Sequence, residues 1–505
     1  MKGQQPEAAP DRQEKPMDAS AIRRGLFSGF AWQGATKIVV QLASWVATLF
    51  VARLIAPSDY GMVAAGAVFI EILILVTDMG LAHGLIQKPE ISKREEDGIF
   101  YISLALGIGG YLVMFVAAPV IAYFYQMPQL TDLLRIFSLG LIFGALKTVP
   151  LAIAMRRMDF RYRSLVEMGA HLMMTVTVVV LALAGYGVWS LAWGPVVSNV
   201  VMAVGYLPLL RRVPKPQFPF SEVYGTIRFG IKYMSTTLLY SGWHWSAVLA
   251  IGKTLGERLL GYYSIAFQLA ALPLDKIGHV FSQVMFPAMA RLQGDDARSR
   301  ELFLNLHRYL LIVCYPIVFG MASVARDAIP LLLTEKWSPV VPYLQALCLL
   351  SALRLTSTPM PAVLFARDKP EVVIRFNLLA LLIMPPAFLV GAHVAGLEGV
   401  VAAWLLAYPI PFIYLGQQCL RELGLGWWPL IRSAAPAAAA SAVMVVVVAA
   451  VRELMQEASM PLRFGCSVAA GAVTYAGVMG WLLREHITSI KQHLVLLRRR
   501  EAPNP

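Results

Sequence analysis

The chain has 505 residues, 58% of them apolar and 14% charged, with a mean hydropathy of +0.63. Soluble domains are nearer half apolar and a quarter charged, so too little polar surface remains here to cover a water-soluble core. The net charge of +13 lies mostly in short loops beside apolar stretches, the positive-inside pattern of a membrane protein, which excludes a nucleic-acid surface.

The chain opens with a polar tail over residues 1–22 that carries Pro6, Pro10 and Pro16 and no apolar h-region, so no cleavable signal peptide is expected. A membrane-spanning helix needs roughly 20 apolar residues, and about fourteen such spans can be drawn. They run 27–54, 60–86, 99–125, 132–154, 164–185, 188–210, 227–254, 259–288, 302–325, 340–364, 371–393, 396–418, 431–451 and 463–483. The fold class expected is all-α and polytopic, with no stretch left for a folded soluble domain.

Lys and Arg crowd alternate loops: Arg23 and Arg24, Lys88 to Arg94, Arg156 to Arg163, Arg211 to Lys215, Arg291 to Arg300, Arg367 and Lys369, Arg421 and Arg432. The other loops hold only Arg53, Lys253, Arg258, Arg326, Lys336, Arg452 and Arg463. This asymmetry places both termini in the cytoplasm of a multi-pass inner-membrane protein. The outer-side carboxylates, Asp327 among them, read as isolated on short connections.

After the sixth span the strip Arg211-Arg212-Val213-Pro214-Lys215-Pro216 is extended and semi-rigid by its prolines. A linker over 211–226 therefore separates an N-terminal lobe, 23–210, from a C-terminal lobe, 227–420. Two extra helices follow over 421–483, then a basic amphipathic tail over 484–505. The lobes repeat at an offset of 200: Trp45 to Arg53 lies over Trp245 to Lys253, and Gly61 over Gly261. An even number of spans separates the copies, so the repeat is parallel, about an axis along the membrane normal.

Ionisable groups at bilayer depth are costly, and each is a functional candidate. In the first span Gln33, Lys37, Gln41, Ser44 and Thr48 recur at helical spacing on one face. The matching face of the seventh span carries Tyr233, Thr237, Ser241 and His244. Corresponding helices with corresponding polar faces imply one central cavity shared by the lobes. Lys276 and Arg354 add to Lys37 a cationic lining that would attract phosphate. Glu71 and Asp78 on the second span, and Asp275 on the eighth, are candidates for coupling to a proton or sodium gradient. No metal-ligand or catalytic motif is present, so neither an enzyme nor a bound cofactor is expected.

The run Val76-Thr-Asp-Met-Gly-Leu-Ala-His-Gly-Leu-Ile-Gln-Lys-Pro89 resembles the Wzx-type polysaccharide transporters. So do Leu260-Gly-Tyr-Tyr-Ser-Ile-Ala-Phe-Gln-Leu-Ala-Ala-Leu-Pro273, Gln283-Val-Met-Phe-Pro287 and Gly185-Tyr-Gly-Val-Trp-Ser-Leu191. The resemblance implies the superfamily that also holds lipid II flippases and MATE drug exporters, with two pseudo-repeated lobes around a central cavity. It further implies a substrate, an undecaprenyl-diphosphate-linked oligosaccharide flipped from the cytoplasmic to the periplasmic leaflet for O-antigen, capsule or exopolysaccharide synthesis. Membrane lipids and the polysaccharide polymerase machinery are the partners implied. A drug exporter is the alternative within the fold, disfavoured by the cationic lining. A membrane polymerase or ligase is the alternative outside it, disfavoured by short outer loops.

Overall fold

The computed structural model describes residues 47–482, apart from 79, 88–90, 158, 211 and 217–219, together with residue 484. The first span is described only over 47–54, which is helical up to a bend at Ile55. Gln33, Lys37 and Gln41, the tail over 1–22 and nearly all of 484–505 fall outside the described residues.

From there the helices are α1 (Pro57–Asp78), α2 (Leu81–Gln87), α3 (Lys93–Tyr125), α4 (Leu130–Arg156), α5 (Phe160–Leu183) and α6 (Val188–Tyr206). The second half holds α7 (Phe220–Pro273), α8 (His279–Arg291), α9 (Asp296–Leu333), α10 (Val340–Ser357), α11 (Met360–Ala366), α12 (Pro370–Ala407) and α13 (Pro409–Glu422). α14 (Trp427–Leu454) and α15 (Met460–Leu482) close the set. Each predicted span from 60–86 onward falls on one of these helices or on two in succession. Ten helical stretches among the described residues are long and apolar enough to cross a membrane. Side chains such as Leu112, Val116, Leu382 and Val394 are 55–79% exposed and supply the apolar outer surface that lipid requires.

Local chemistry sets the helix ends. Ser92 caps α3 by accepting the Glu95 N–H at 3.0 Å, and Asp159 and Asp295 do the same for α5 and α9. α7 and α12 each fold back on themselves at a glycine with positive φ, Gly256 at 82° and Gly396 at 58°. Each is therefore a pair of spans joined by a minimal turn. The seventh span starts at Phe220, well before the expected 227. The Pro-rich strip ahead of it is pinned to α3: Arg212 pairs with the buried Asp97 at 2.9 Å, and the Tyr101 hydroxyl donates to the Pro214 carbonyl at 3.0 Å.

α1 and α3–α6 pack on one another, as do α7–α13, and the two groups meet chiefly along α1 and α7. α14 and α15 pack together against α9. Three spans of the C-terminal lobe are interrupted at mid-length. The eighth widens into a π-helical turn over Leu274–Gly278 after Pro273, the tenth breaks before Pro359, and the twelfth restarts at Pro409. A proline lacks the N–H that would continue the helix and crowds the residue before it.

Candidate functional site: a closed outer end and a cavity in the C-terminal lobe

At the end expected to face outward, the lobes touch backbone to backbone. A Cβ built on Gly61 would overlap the carbonyl oxygen of Glu257, and one built on Gly261 would overlap the carbonyl oxygen of Pro57. The two contacts exchange under the 200-residue offset, so the repeat seen in sequence is a two-fold relation in space. Hydrogen bonds around it cross between lobes in the same reciprocal way. Arg53 donates to the carbonyls of Leu331 and Leu332 at 2.8 Å each, at the C-terminal end of α9. Its counterpart Lys253 donates to the carbonyl of Phe124 at 2.7 Å, at the C-terminal end of α3. Both cations satisfy carbonyls that a helix leaves without partners, where the helix dipole favours positive charge.

The α9–α10 connection completes the closure. Lys336 donates to the carbonyls of Arg53 and Ile55 at 2.8 Å each. Burial pulls its ammonium below the ordinary lysine range, while the Asp59 carboxylate pushes the other way. Trp337 is fully buried, donates to the Ala52 carbonyl at 2.9 Å and packs edge-on against Tyr60 at 5.4 Å. Most of the sparse outer-side cations are thereby accounted for. Three cap carbonyls between lobes, and Arg258 lies over the Tyr262 ring at 5.9 Å. Arg452 and Arg463 pair with Asp327 at 2.7 and 2.6 Å. Asp327 is thus not isolated, as the loop reading had it: it is 1% exposed and ties α14 and α15 to α9.

Inward of the closure along α1, Glu71 is exposed and accepts the indole N–H of Trp245 at 2.8 Å. This carboxylate lies at the junction of the lobes, bonded to the residue that repeats Trp45. Asp78 lies farther along α1, within electrostatic reach of Lys147. Lys147 in turn donates to Asn199 at 2.8 Å, joining α4 to α6. The other lobe joins its fourth and sixth spans in the same manner, with the Ser357 and Tyr408 hydroxyls 3.3 Å apart.

The C-terminal lobe carries an open cavity of about 430 Å³, lined by Tyr240, Trp243, Asp275, Arg354, Thr358 and Tyr408 among others. The three helix interruptions all border it. Arg354 is 7% exposed, and its guanidinium lies 5.6 Å from the Phe267 ring and 6.0 Å from the Trp404 ring. Trp404 donates to Tyr263 at 2.9 Å and Trp243 to Asn377 at 3.2 Å, which fixes the rings behind the guanidinium.

Of the residues singled out in sequence, Arg354 and Asp275 therefore share one cavity. His244 packs among Trp243, Phe267 and Trp404 at 5.0–5.8 Å, beside that cavity rather than on its lining. Thr237 and Ser241 are half-buried on α7, and Lys276 is exposed on the π-helical turn. The Tyr233 side chain lies outside the described ones. Sequence reasoning missed the aromatic wall and the hydroxyls of Ser357 and Thr358. Pro359 and Pro409, beside those residues, were the available signal.

Comparison with known proteins then fixes the family. A model of the family described as "Polysaccharide biosynthesis protein" matches residues 50–342. The chain belongs to that family. The lipopolysaccharide biosynthesis protein WzxC of Escherichia coli (strain K12) is 26% identical over 400 residues, covering 76% of this chain and 79% of WzxC. The lipid II flippase MurJ in an inward closed conformation superposes with a TM-score of 0.69 at 14% identity, covering 89% of this chain and all of MurJ's. An inward-facing multidrug-resistance MATE transporter superposes with a TM-score of 0.60 at 15% identity, over 76% of this chain and 95% of its own. The Wzx-type resemblance and the two-lobed MATE-like fold hold, and the chain is a membrane transporter of polysaccharide biosynthesis, not an enzyme.

Proposed function

We propose that this protein flips an undecaprenyl-diphosphate-linked oligosaccharide from the cytoplasmic to the periplasmic leaflet by alternating access. The reciprocal contact of Gly61 and Gly261 carries the reading, because it holds two like lobes together at the end expected to face outward. The physical task is to move a hydrated glycan and a diphosphate across roughly 30 Å of hydrocarbon. Polar groups between the lobes replace the water of the glycan, while the polyprenyl tail stays in lipid. Rocking of the lobes about the α1–α7 contact then exchanges access from one face to the other.

Lys37, on the polar stripe of the first span, supplies positive charge for the diphosphate. Glu71 couples this motion to protons or sodium in this proposal, and its hydrogen bond across the lobe junction to Trp245 supports the reading. The cytoplasmic termini and delivery to a polymerase on the outer face belong to the same proposal. Depletion of the protein, followed by probing which leaflet holds the lipid-linked oligosaccharide, tests it. Build-up on the cytoplasmic face supports flipping, and unpolymerised repeat unit on the periplasmic face refutes it.

A further inference from the structure

The three interruptions in the C-terminal lobe are not scattered, for they touch one another in a line. Gly278, in the π-helical turn of the eighth span, lies so close to Thr358 that an added Cβ would sit 3.2 Å from its methyl group. Ser282, one turn on, donates to the Thr358 carbonyl at 3.2 Å, at the break in the tenth span. Ser357, at that same break, meets the Tyr408 hydroxyl at 3.3 Å, at the break in the twelfth. Leu274, Ser357, Thr358 and Tyr408 also line the open cavity, which leaves the backbone room to bend at this level. The sequence supplies the cause. The inner parts of the tenth and twelfth spans open on one pattern, Pro359-Met360-Pro361 and Pro409-Ile410-Pro411. A proline has no N–H for the carbonyl four residues back, so each of these breaks loses two backbone bonds along its span. In the eighth span Pro273 precedes the π-helical turn, a form of winding at which helices bend.

On either side of this line, separate bonds hold the halves together. On the outer side Trp404 of the twelfth span donates to Tyr263 of the eighth at 2.9 Å, and Tyr315 of α9 meets Thr356 of the tenth at 3.2 Å. On the inner side Gln293 donates to the Ala366 carbonyl, and Arg367 pairs with Asp296 at 2.7 Å. Arg300 donates to the Leu423 carbonyl at 2.6 Å. The inner ends of α8, α11 and α13 are thereby joined through the start of α9. α9 and the first half of α12 run through both levels unbroken, and they carry Pro316 and Pro385-Pro386, where a continuous helix can still flex.

We propose that the C-terminal lobe is jointed: its inner half, built on α8, α11 and α13, swings as a unit about this line of breaks while the outer half keeps its shape. The cytoplasmic mouth then widens and narrows by bending within one lobe, in addition to rocking between two. The joint rests on the transport reading for its purpose, yet it is measured inside a single lobe and without substrate.

Nitroxide labels on the full-length protein in lipid nanodiscs, with Cys314, Cys348, Cys419 and Cys466 replaced, report the joint by double electron–electron resonance. One pair, Val284→Cys with Leu389→Cys, puts an inner label on α8 and an outer label on α12. The control pair, Ile317→Cys with Leu389→Cys, puts both labels on the outer half. All three side chains are 45–52% exposed, so the labels disturb little packing. Gly61→Ala or Gly261→Ala, either of which forces the outer contact apart, should move the first pair by several ångströms and leave the control pair unmoved. Pro359→Ala with Pro361→Ala, which restores two N–H groups at the central break, should shrink that shift. An unmoved first pair would overturn the proposal. So would equal shifts in both pairs, or a shift that the two restored N–H groups leave undiminished. Should leaflet assays show no dependence on the protein while the first pair still moves, the transport reading fails and the joint stands. An unmoved first pair in a protein that flips its substrate fails the joint alone.

Discussion

Gly61 and Gly261 lie against each other's helices at the outer end, each where the other helix's first-turn carbonyl comes too close for any side chain. Two hundred residues apart, they occupy equivalent places in equivalent lobes, so one close approach is used twice. The contact depends on the missing Cβ atoms, which let α1 and α7 approach as small residues do in membrane helix pairs. Everything else at that end, from Arg53 and Lys253 to Trp337, surrounds this approach.

Overpacking the contact should open it. Gly61→Ala and Gly261→Ala each force the backbones apart at about 1–3 kcal/mol, enough to shift a two-state equilibrium by a factor of about five to more than a hundred. In a variant with its native cysteines replaced, Ala65→Cys lies buried beneath the closure. It should react faster with a membrane-impermeant thiol reagent once either alanine is present. Unchanged labelling would show that the contact does not govern access.

The two carbonyl-capping cations should act alike. Arg53→Gln and Lys253→Gln each remove charge-assisted hydrogen bonds from helix-end carbonyls, about 1.5–3 kcal/mol apiece. Both should raise the same outer-side labelling, whereas Lys253→Arg should stay near wild type. A double variant no worse than either single one would mean that they stabilise a single shared opening step.

Trp337→Phe keeps the packed ring but loses the bond to the Ala52 carbonyl, so it should cost about 1 kcal/mol in thermal unfolding in detergent. Trp337→Ala removes a fully buried indole as well and should cost about 3–5 kcal/mol. Equal losses would place the whole effect in the hydrogen bond.

Asp327→Asn leaves Arg452 and Arg463 without their buried counter-charge, a change worth about 3–5 kcal/mol. Since Asp327 joins α14 and α15 to α9, the damage should be local. Protease cleavage between α14 and α15, near residues 455–459, should appear well below the temperature at which the rest unfolds. Arg452→Leu should be milder, because Arg463 still neutralises the carboxylate.

The spans were legible because bilayer thickness imposes a length that hydropathy reports directly. The repeat was legible at Gly61/Gly261, and this glycine pair marks the place where the lobes touch. Other features were not. Hydropathy does not register where a backbone breaks, so the interruptions beside Pro273, Pro359 and Pro409 were drawn as continuous spans. The partners of Arg53, Lys253 and Lys336 are carbonyl groups, which every residue has and no sequence pattern distinguishes. Asp327 looked isolated because its partners are 125 and 136 residues away. Arg354 stood out as a charge at depth, but its ring neighbours come from the eighth and twelfth spans and are joined to it only by folding.

The most direct test of alternating access holds the outer end shut. Lys253→Cys and Phe124→Cys, in a background without the native cysteines, place thiols on either side of a cross-lobe contact that now runs from the Lys253 ammonium to the Phe124 carbonyl at 2.7 Å. Joining them with a short reducible bis-thiol reagent should stop flipping and build up lipid-linked oligosaccharide on the cytoplasmic face. Reduction should restore transport, and each single variant treated alike should flip normally. Full activity with the two lobes joined would contradict a mechanism in which this end must open.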